Sequence, residues 1–213
     1  MGMTVAALAA AIARADAAMA QLTDSLNAAD ARLGDGDTGT MLARLIGAFA
    51  ATDLHGARDL GAAFTALARA GAASTGSSLG TLIVTAMLAA GRATAGQPEL
   101  EWSRLGDLVA TARDAAMARG KATLGAKTIV DGLDALAAAL AGKSDPAALA
   151  DAANAAMHEV LARFRARPSA MGRARMFADR SIGLDDPGML GLAELVWAAT
   201  AAGSAAHAGG SLA

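Results

Sequence analysis

Apolar residues recur at helical spacing along nearly the whole chain, and the strict alternation that marks strands is almost absent. Val5, Leu8 and Ile12 open a first helix over roughly residues 3–22. Leu42, Leu45, Ile46 and Phe49 follow the i, i+3, i+4, i+7 pattern of a second, Leu60, Phe64 and Leu67 mark a third, and Leu82, Ile83 and Met87 a fourth. A break at Gly96-Gln97-Pro98 precedes a fifth, with Leu105, Leu108, Val109 and Ala112 on one face. Ile129, Leu133, Leu136 and Leu140 define a sixth. Asp145-Pro146 supplies an N-cap and a first-turn proline for a seventh, which buries Met157, Val160, Leu161 and Phe164. Asp186-Pro187-Gly188 starts the last, with Met189, Leu192, Leu195, Val196 and Ala199 inward, and the tail from Gly203 is expected to fray.

Eight helices with short connections predict an all-α antiparallel bundle or barrel. No linker divides the 213 residues, so a single domain over 1–213 is expected. Composition sharpens this picture: 54% of residues are apolar but only 3% aromatic, and the abundant alanine favours helix and close helix packing. A net charge of −2 gives no electrostatic case for nucleic acid or an anionic membrane, and the absence of cysteine excludes disulfides and thiol chemistry. The N-terminal stretch lacks a basic leader region and is interrupted by Arg14 and Asp16, so it reads as an amphipathic helix. No uninterrupted apolar run is expected to span a bilayer; Gly71 to Ala90 comes nearest in length but opens with glycine, serine and threonine. A cytoplasmic protein is expected.

The connections carry the unusual chemistry. Asn27 to Thr40 holds three carboxylates, Asp30, Asp35 and Asp37, among three glycines and two threonines. Carboxylates packed this closely repel one another unless a cation or a set of donors compensates them. Oxygen-only ligands favour magnesium, manganese or calcium. An EF-hand does not fit, because with Asp35 at position 1 the twelfth position is Ile46 instead of a bidentate glutamate. Magnesium completes its shell with waters and phosphates, and the glycines let backbone amides approach an anion. The competing reading is a solvated turn whose aspartates cap helices. Gly34, Gly36 and Gly39 also match G-x-G-x-x-G, but no strand precedes them, and Gly125-Ala126-Lys127-Thr128 only echoes the end of a Walker A loop.

Three further connections matter. Ala70 to Gly80 is a small-residue turn with hydroxyls at Ser74, Thr75, Ser77 and Ser78, suited equally to anion binding and to ordinary capping. Arg119 to Thr128 carries two of the three lysines, Lys121 and Lys127, which are expected either to meet phosphate or to lie in a solvated loop. Arg163 to Arg180 contains six arginines with little helical periodicity. His55, His158 and His207 have no partner at metal-ligand spacing and are expected to be structural or exposed. If neighbouring helices alternate in direction, the connections after helices one, three, five and seven share one end of the bundle. Acids for metal, donors for phosphate and arginines for negative charge then converge, which points to a magnesium-nucleotide site and to phosphoryl transfer.

These motifs, in this order, resemble those of the L subunit of dihydroxyacetone kinase, the DAK2 or kinase-L domain family. The resemblance rests on Asn27 to Thr40, on Gly120-Lys121 with Gly125-Ala126-Lys127-Thr128, and above all on Gly172-Arg173-Ala174-Arg175 leading to Asp179-Arg180-Ser181-Ile182-Gly183-Leu184-Asp185-Asp186-Pro187-Gly188. It implies an eight-helix antiparallel barrel holding ATP or ADP and two magnesium ions at one end. Asp30, Asp35 and Asp37 would be the metal ligands. Thr38, Gly39, Thr40 and Met41, with Ser74, Thr75 and Gly76, would cradle phosphates. Gly120, Ile129, Arg173, Asp186, Pro187 and Gly188 would contact the rest of the nucleotide, and Arg173 would face the transferring charge as the catalytic residue.

The resemblance also implies a K-type partner subunit that holds the ketone substrate, with either ATP or a phosphotransferase-system protein as phosphate donor. It is compatible with a homodimer. Thr38 stands where many phosphotransferase-dependent members have histidine, Met41 where asparagine is common and Ala126 where aspartate is usual. The threonine-bearing Gly36 to Thr40 also resembles the related fatty acid kinase domain. A kinase for another acceptor and a non-catalytic nucleotide-sensing module are the alternatives.

Overall fold

The computed structural model describes residues 2–201, apart from the side chain of Arg173. The tail from Gly203, including His207, lies outside the described residues. Eight α-helices account for most of the described chain: α1 (Val5–Asp30), α2 (Thr38–Ala50), α3 (Leu60–Ser74), α4 (Ser78–Ala93), α5 (Leu105–Gly120), α6 (Ile129–Leu140), α7 (Pro146–Arg165) and α8 (Pro187–Thr200). Each packs on the next, and α8 returns onto α1, so the bundle closes into a ring. The expected all-α, eight-helix architecture is the one observed.

Capping explains several boundaries. The side chains of Thr4, Asp59, Ser77, Thr128, Asp145 and Asp186 each accept an amide from the first turn of the helix they precede. At α6 the capping is reciprocal, because Asp131 accepts from the backbone of Thr128. The first helix runs eight residues further than its apolar spacing predicts, ending at Asp30 instead of about residue 22. Residues 23–30 include Ala28 and Ala29 and no glycine or proline, so nothing stops the helix before the turn at residues 31–34. Strand is not wholly absent: β1 (Gly2–Thr4) pairs antiparallel with β2 (Glu99–Glu101), a clasp between the N-terminus and the α4–α5 connection. The arginine-rich connection holds two short 3-10 turns, Arg173–Phe177 and Asp179–Ser181.

The core has two main parts. Leu26, Leu42, Leu45, Leu60 and Leu67 fill the space among α1 to α4, and Leu140, Met157, Val160 and Met189 fill that among α6 to α8. Trp102, Leu105 and Leu190 pack against both. The ring is sealed where Arg14 on α1 donates from Nε and Nη2 to the carbonyl of Ala199 on α8, at 3.0 and 2.5 Å, placing a cation on the carbonyl end of that helix. By length and apolarity α1, and not the Gly71 to Ala90 stretch, is the described helix that reaches the dimensions of a membrane span. Within the bundle its inner face packs on α2 and α8.

Candidate active site

The connections after α1, α3, α5 and α7 meet around one cavity of about 950 Å³. Because neighbours alternate in direction, this end gathers the N-termini of α2, α4, α6 and α8, whose first-turn residues Thr38, Ser78, Leu79, Ile129, Pro187 and Gly188 line the cavity. The partial positive charge and free amides of helix N-termini suit anions. The C-terminus of α1, carrying Asp30, lies at the same end and suits a cation.

Asp30, Asp35 and Asp37 each offer a carboxylate oxygen within 4.8 Å of the others'. Their environments differ. Asp30 is only 8% exposed, and its Oδ2 accepts the amides of Gly36, Asp37 and Thr38 at 3.1, 3.0 and 3.2 Å. One oxygen thereby shapes the whole turn, while Oδ1 sits so close to Gly34 that a Cβ there would be 2.3 Å away. Gly36 supplies the turn's positive φ, +79°. Asp37 occupies the N-cap position of α2 yet makes no side-chain capping bond. The capping alternative therefore does not account for it. Three carboxylates held this close, one of them pinned by three amide donors, fit a magnesium-type ion with oxygen ligands.

The expected phosphate cradle divides. Thr38, Met41, Thr75 and Gly76 line the cavity. Gly39 and Thr40 instead face α1: the Thr40 amide and hydroxyl pair with Asn27 Oδ1 and Nδ2 at 3.0 and 2.9 Å, and Gly39 packs beneath the carbonyl of Thr23. Ser74 belongs to the last turn of α3, where its hydroxyl donates back to Gly71, and it does not line the cavity. These three residues lock the α1–α2 crossing or finish a helix; adjacency along the chain to lining residues does not put them on the same face.

Gly120, Ile129, Asp186, Pro187 and Gly188 all reach the cavity, whereas Arg173 is placed only by its backbone, between the lining residues Gly172 and Ala174. Leu79, Leu82, Ile129 and Pro187 give the cavity apolar lining. Asp186 caps α8 through the Met189 amide at 2.8 Å, and burial pushes its carboxyl up to about 6.

Two cavity cations were not expected: Arg44 on α2 and Arg119 at the end of α5. Arg44 lies seven residues after Asp37, so its presence on the same face was readable from helical periodicity. Lys127 fits neither expectation made for it. It is 1% exposed, has a left-handed backbone with φ 60°, and donates from Nζ to the carbonyls of Arg167 and Ser181 at 2.8 and 2.7 Å. Burial lowers its pKa, an effect opposed by the charges of Asp186 and Asp185. Lys121 is exposed at the C-cap of α5. His55 is exposed, and His158 stacks on Trp197 at 4.4 Å, in keeping with a structural or exposed role.

Comparison with known proteins accords with this arrangement. The model of the DAK2 domain family matches residues 32–201. The chain belongs to the DAK2 domain family. This DAK2 domain is 32% identical over 196 residues to the L-erythrulose kinase of Pectobacterium atrosepticum, covering 87% of the chain and 32% of that protein. Its fold matches the crystal structure of the dihydroxyacetone kinase of C. freundii in its native form with a TM-score of 0.71, at 25% identity, over 90% of this chain and 34% of that one. The structure of the same kinase in complex with AMP-PNP and Mg2+ matches with a TM-score of 0.67 at 22% identity, over 93% of this chain and 34% of that one. The DAK2 domain thus spans about a third of the length of these relatives.

Proposed function

We propose that this DAK2 domain is the nucleotide-binding, phosphoryl-transferring part of a keto-sugar kinase of the dihydroxyacetone kinase type. The observation that carries the proposal is the convergence of Asp30, Asp35 and Asp37 with four helix N-termini on one cavity that also has apolar lining. Asp30, Asp35 and Asp37 would hold two magnesium ions, which when bound neutralise phosphate charge. The first-turn amides of α2 and α4, with Thr38, Thr75 and Gly76, would orient the phosphates. Ile129, Leu79, Leu82 and Pro187 would exclude water from the base. Arg44 and Arg119, which line the cavity, and Arg173, as the family resemblance implies, would stabilise the charge that develops as the terminal phosphoryl group leaves ADP and bonds to the acceptor hydroxyl oxygen, which gives up its proton. The complex of the kinase from C. freundii with AMP-PNP and Mg2+ supports this choice of ligands.

The acceptor would be a short-chain keto-sugar held by a K-type partner or domain, as the L-erythrulose kinase and dihydroxyacetone kinase relatives suggest. Among the described residues, three of the four exposed large apolar side chains, Leu124, Met176 and Ile182 at 49, 68 and 50%, lie on the two connections that rim the cavity. Exposed apolar groups gathered beside a site suit a partner docking over it. Met176→Asp combined with Ile182→Asp is expected to lower turnover in the assembled kinase about tenfold or more while leaving affinity for magnesium nucleotide unchanged.

Calorimetric titration of ATP and ADP, with and without magnesium, tests the central reading. The wild-type chain is expected to bind both only with magnesium, and Asp35→Asn and Asp37→Asn are each expected to weaken binding about 100-fold. Absence of binding under every condition would overturn the assignment. ADP retained through purification would favour rephosphorylation in place by a phosphotransferase-system protein over exchange of ATP for ADP.

A further inference from the structure

Residues 166–186 form a strap between α7 and α8 with only two short 3-10 turns of regular structure. Met171, Gly172 and Ala174 of this strap nevertheless line the cavity. So long an irregular segment carries a large conformational entropy cost and holds one shape only if specific bonds oppose it. At its base, Arg165 on α7 binds Asp185 with two bonds of 3.0 and 2.6 Å, and the Gly183 amide donates to the carbonyl of Arg165 at 2.7 Å. Within it, the Ser181 hydroxyl donates to Ala178 and accepts the Ser169 amide.

Lys127 connects the strap across to another element. It sits in the α5–α6 turn, next to Thr128 and Ile129, which also line the cavity. Its Nζ reaches the carbonyls of Arg167 and Ser181, near the two ends of the strap, and the Ala170 amide donates to Ala126 beside it at 3.1 Å. Burying an ammonium group is costly, and so is a left-handed backbone at a residue with a side chain. A methionine would fill the same volume without the burial cost, but it would leave two inward-facing carbonyls without this donor. The charges of Asp186 and Asp185 favour the ammonium where it lies.

We propose that Lys127 is a positioning residue of the nucleotide site, latching the strap to the α5–α6 turn so that the Gly172–Ala174 segment, with the backbone of Arg173 in it, keeps its place on the cavity it lines together with Thr128 and Ile129. The proposal rests on the nucleotide reading of the cavity. The latch acts through backbone carbonyls, so its loss frees the strap without removing any group that touches the nucleotide.

The chain contains no cysteine, which permits a clean chemical rescue. Lys127→Cys, alkylated with 2-bromoethylamine in denaturant and refolded, regains an ammonium at nearly the original reach. Lys127→Met is expected to raise amide exchange in residues 170–183 by roughly 10- to 100-fold, the span of one or two charge-assisted bonds. Exchange in α2 to α4 stays at the wild-type rate. In the assembled kinase, KM for magnesium-ATP rises about tenfold and kcat falls, and aminoethylation of Lys127→Cys restores all three readouts.

Unchanged strap exchange in Lys127→Met overturns the latch. Equal acceleration of strap and core, with KM unaltered in the folded fraction, also overturns it and leaves Lys127 a stabilising residue only. If Lys127→Met and unalkylated Lys127→Cys do not fold, Lys127→Gln, a neutral side chain too short to reach both carbonyls, decides: wild-type strap exchange and KM in that variant overturn the positioning role, and raised values of both support it. Failure of the nucleotide reading is separable, because it shows as absent magnesium-nucleotide binding by the wild-type chain while the exchange result still reports on the latch.

Discussion

Asp30→Ala is expected to abolish magnesium-dependent nucleotide binding and also to destabilise the fold by about 2–4 kcal/mol in the absence of any metal. The two losses have different origins. Binding fails because one of three carboxylates is gone and the other two are no longer held near it. Stability falls because a single oxygen, Oδ2, accepts the amides of Gly36, Asp37 and Thr38, and Thr38 is too buried for water to replace that acceptor fully. Asp35 and Asp37 are exposed, and removing a charge there relieves repulsion. Asp35→Asn and Asp37→Asn should therefore lose binding with less than about 1 kcal/mol of change in stability. Denaturant titration of the three metal-free variants checks this, and equal destabilisation by all three would show that Asp30 does not organise the turn.

Gly39→Ala carries the second large effect, although the change adds one carbon. That carbon would lie 2.1 Å from the backbone oxygen of Thr23 and 2.9 Å from Asn27 Oδ1. Backbone cannot swing aside as a side chain can, so α2 must move away from α1. Overpacking of this kind costs about 3 kcal/mol, and the shift pulls Thr40 from Asn27 and tilts the N-terminus of α2 that lines the cavity. Gly76→Ala is the matching control. It also lies beside the cavity, yet nothing stands within 4 Å of its added carbon, so its stability should stay within about 0.5 kcal/mol of wild type. Thermal unfolding of both variants separates a steric role at the helix crossing from a general intolerance to change near the site.

Much of this arrangement is readable without coordinates. The eight apolar stripes, and the caps at Asp145-Pro146 and Asp186-Pro187, give helix number and direction, and direction alone brings the four odd connections to one end. What does not follow from spacing is the azimuth at which each residue meets its neighbours. Thr40 and Gly39 follow Thr38 in the chain but face α1, and Ser74 precedes Thr75 but ends a helix, because which face is occupied depends on the packed partner. Lys127 was equally hidden. Lysine in a glycine-bearing connection is usually solvated, and only the fold brings Arg167 and Ser181 to it, 40 and 54 residues further along. The clasp of Gly2–Thr4 with Glu99–Glu101 escaped for the same reason, since strands of three residues have too little alternation to detect.

The seam at Arg14 and Ala199 joins helices from opposite ends of the described chain, 185 positions apart. Contacts of such separation form late, because a long loop must close before they contribute. During synthesis the three acids of the α1–α2 turn emerge well before Asp186 to Gly188 and the helix that closes the ring. A nascent chain thus carries its metal-ligand candidates long before it has a complete cavity to put them in, and the cavity is completed in one step when α8 docks.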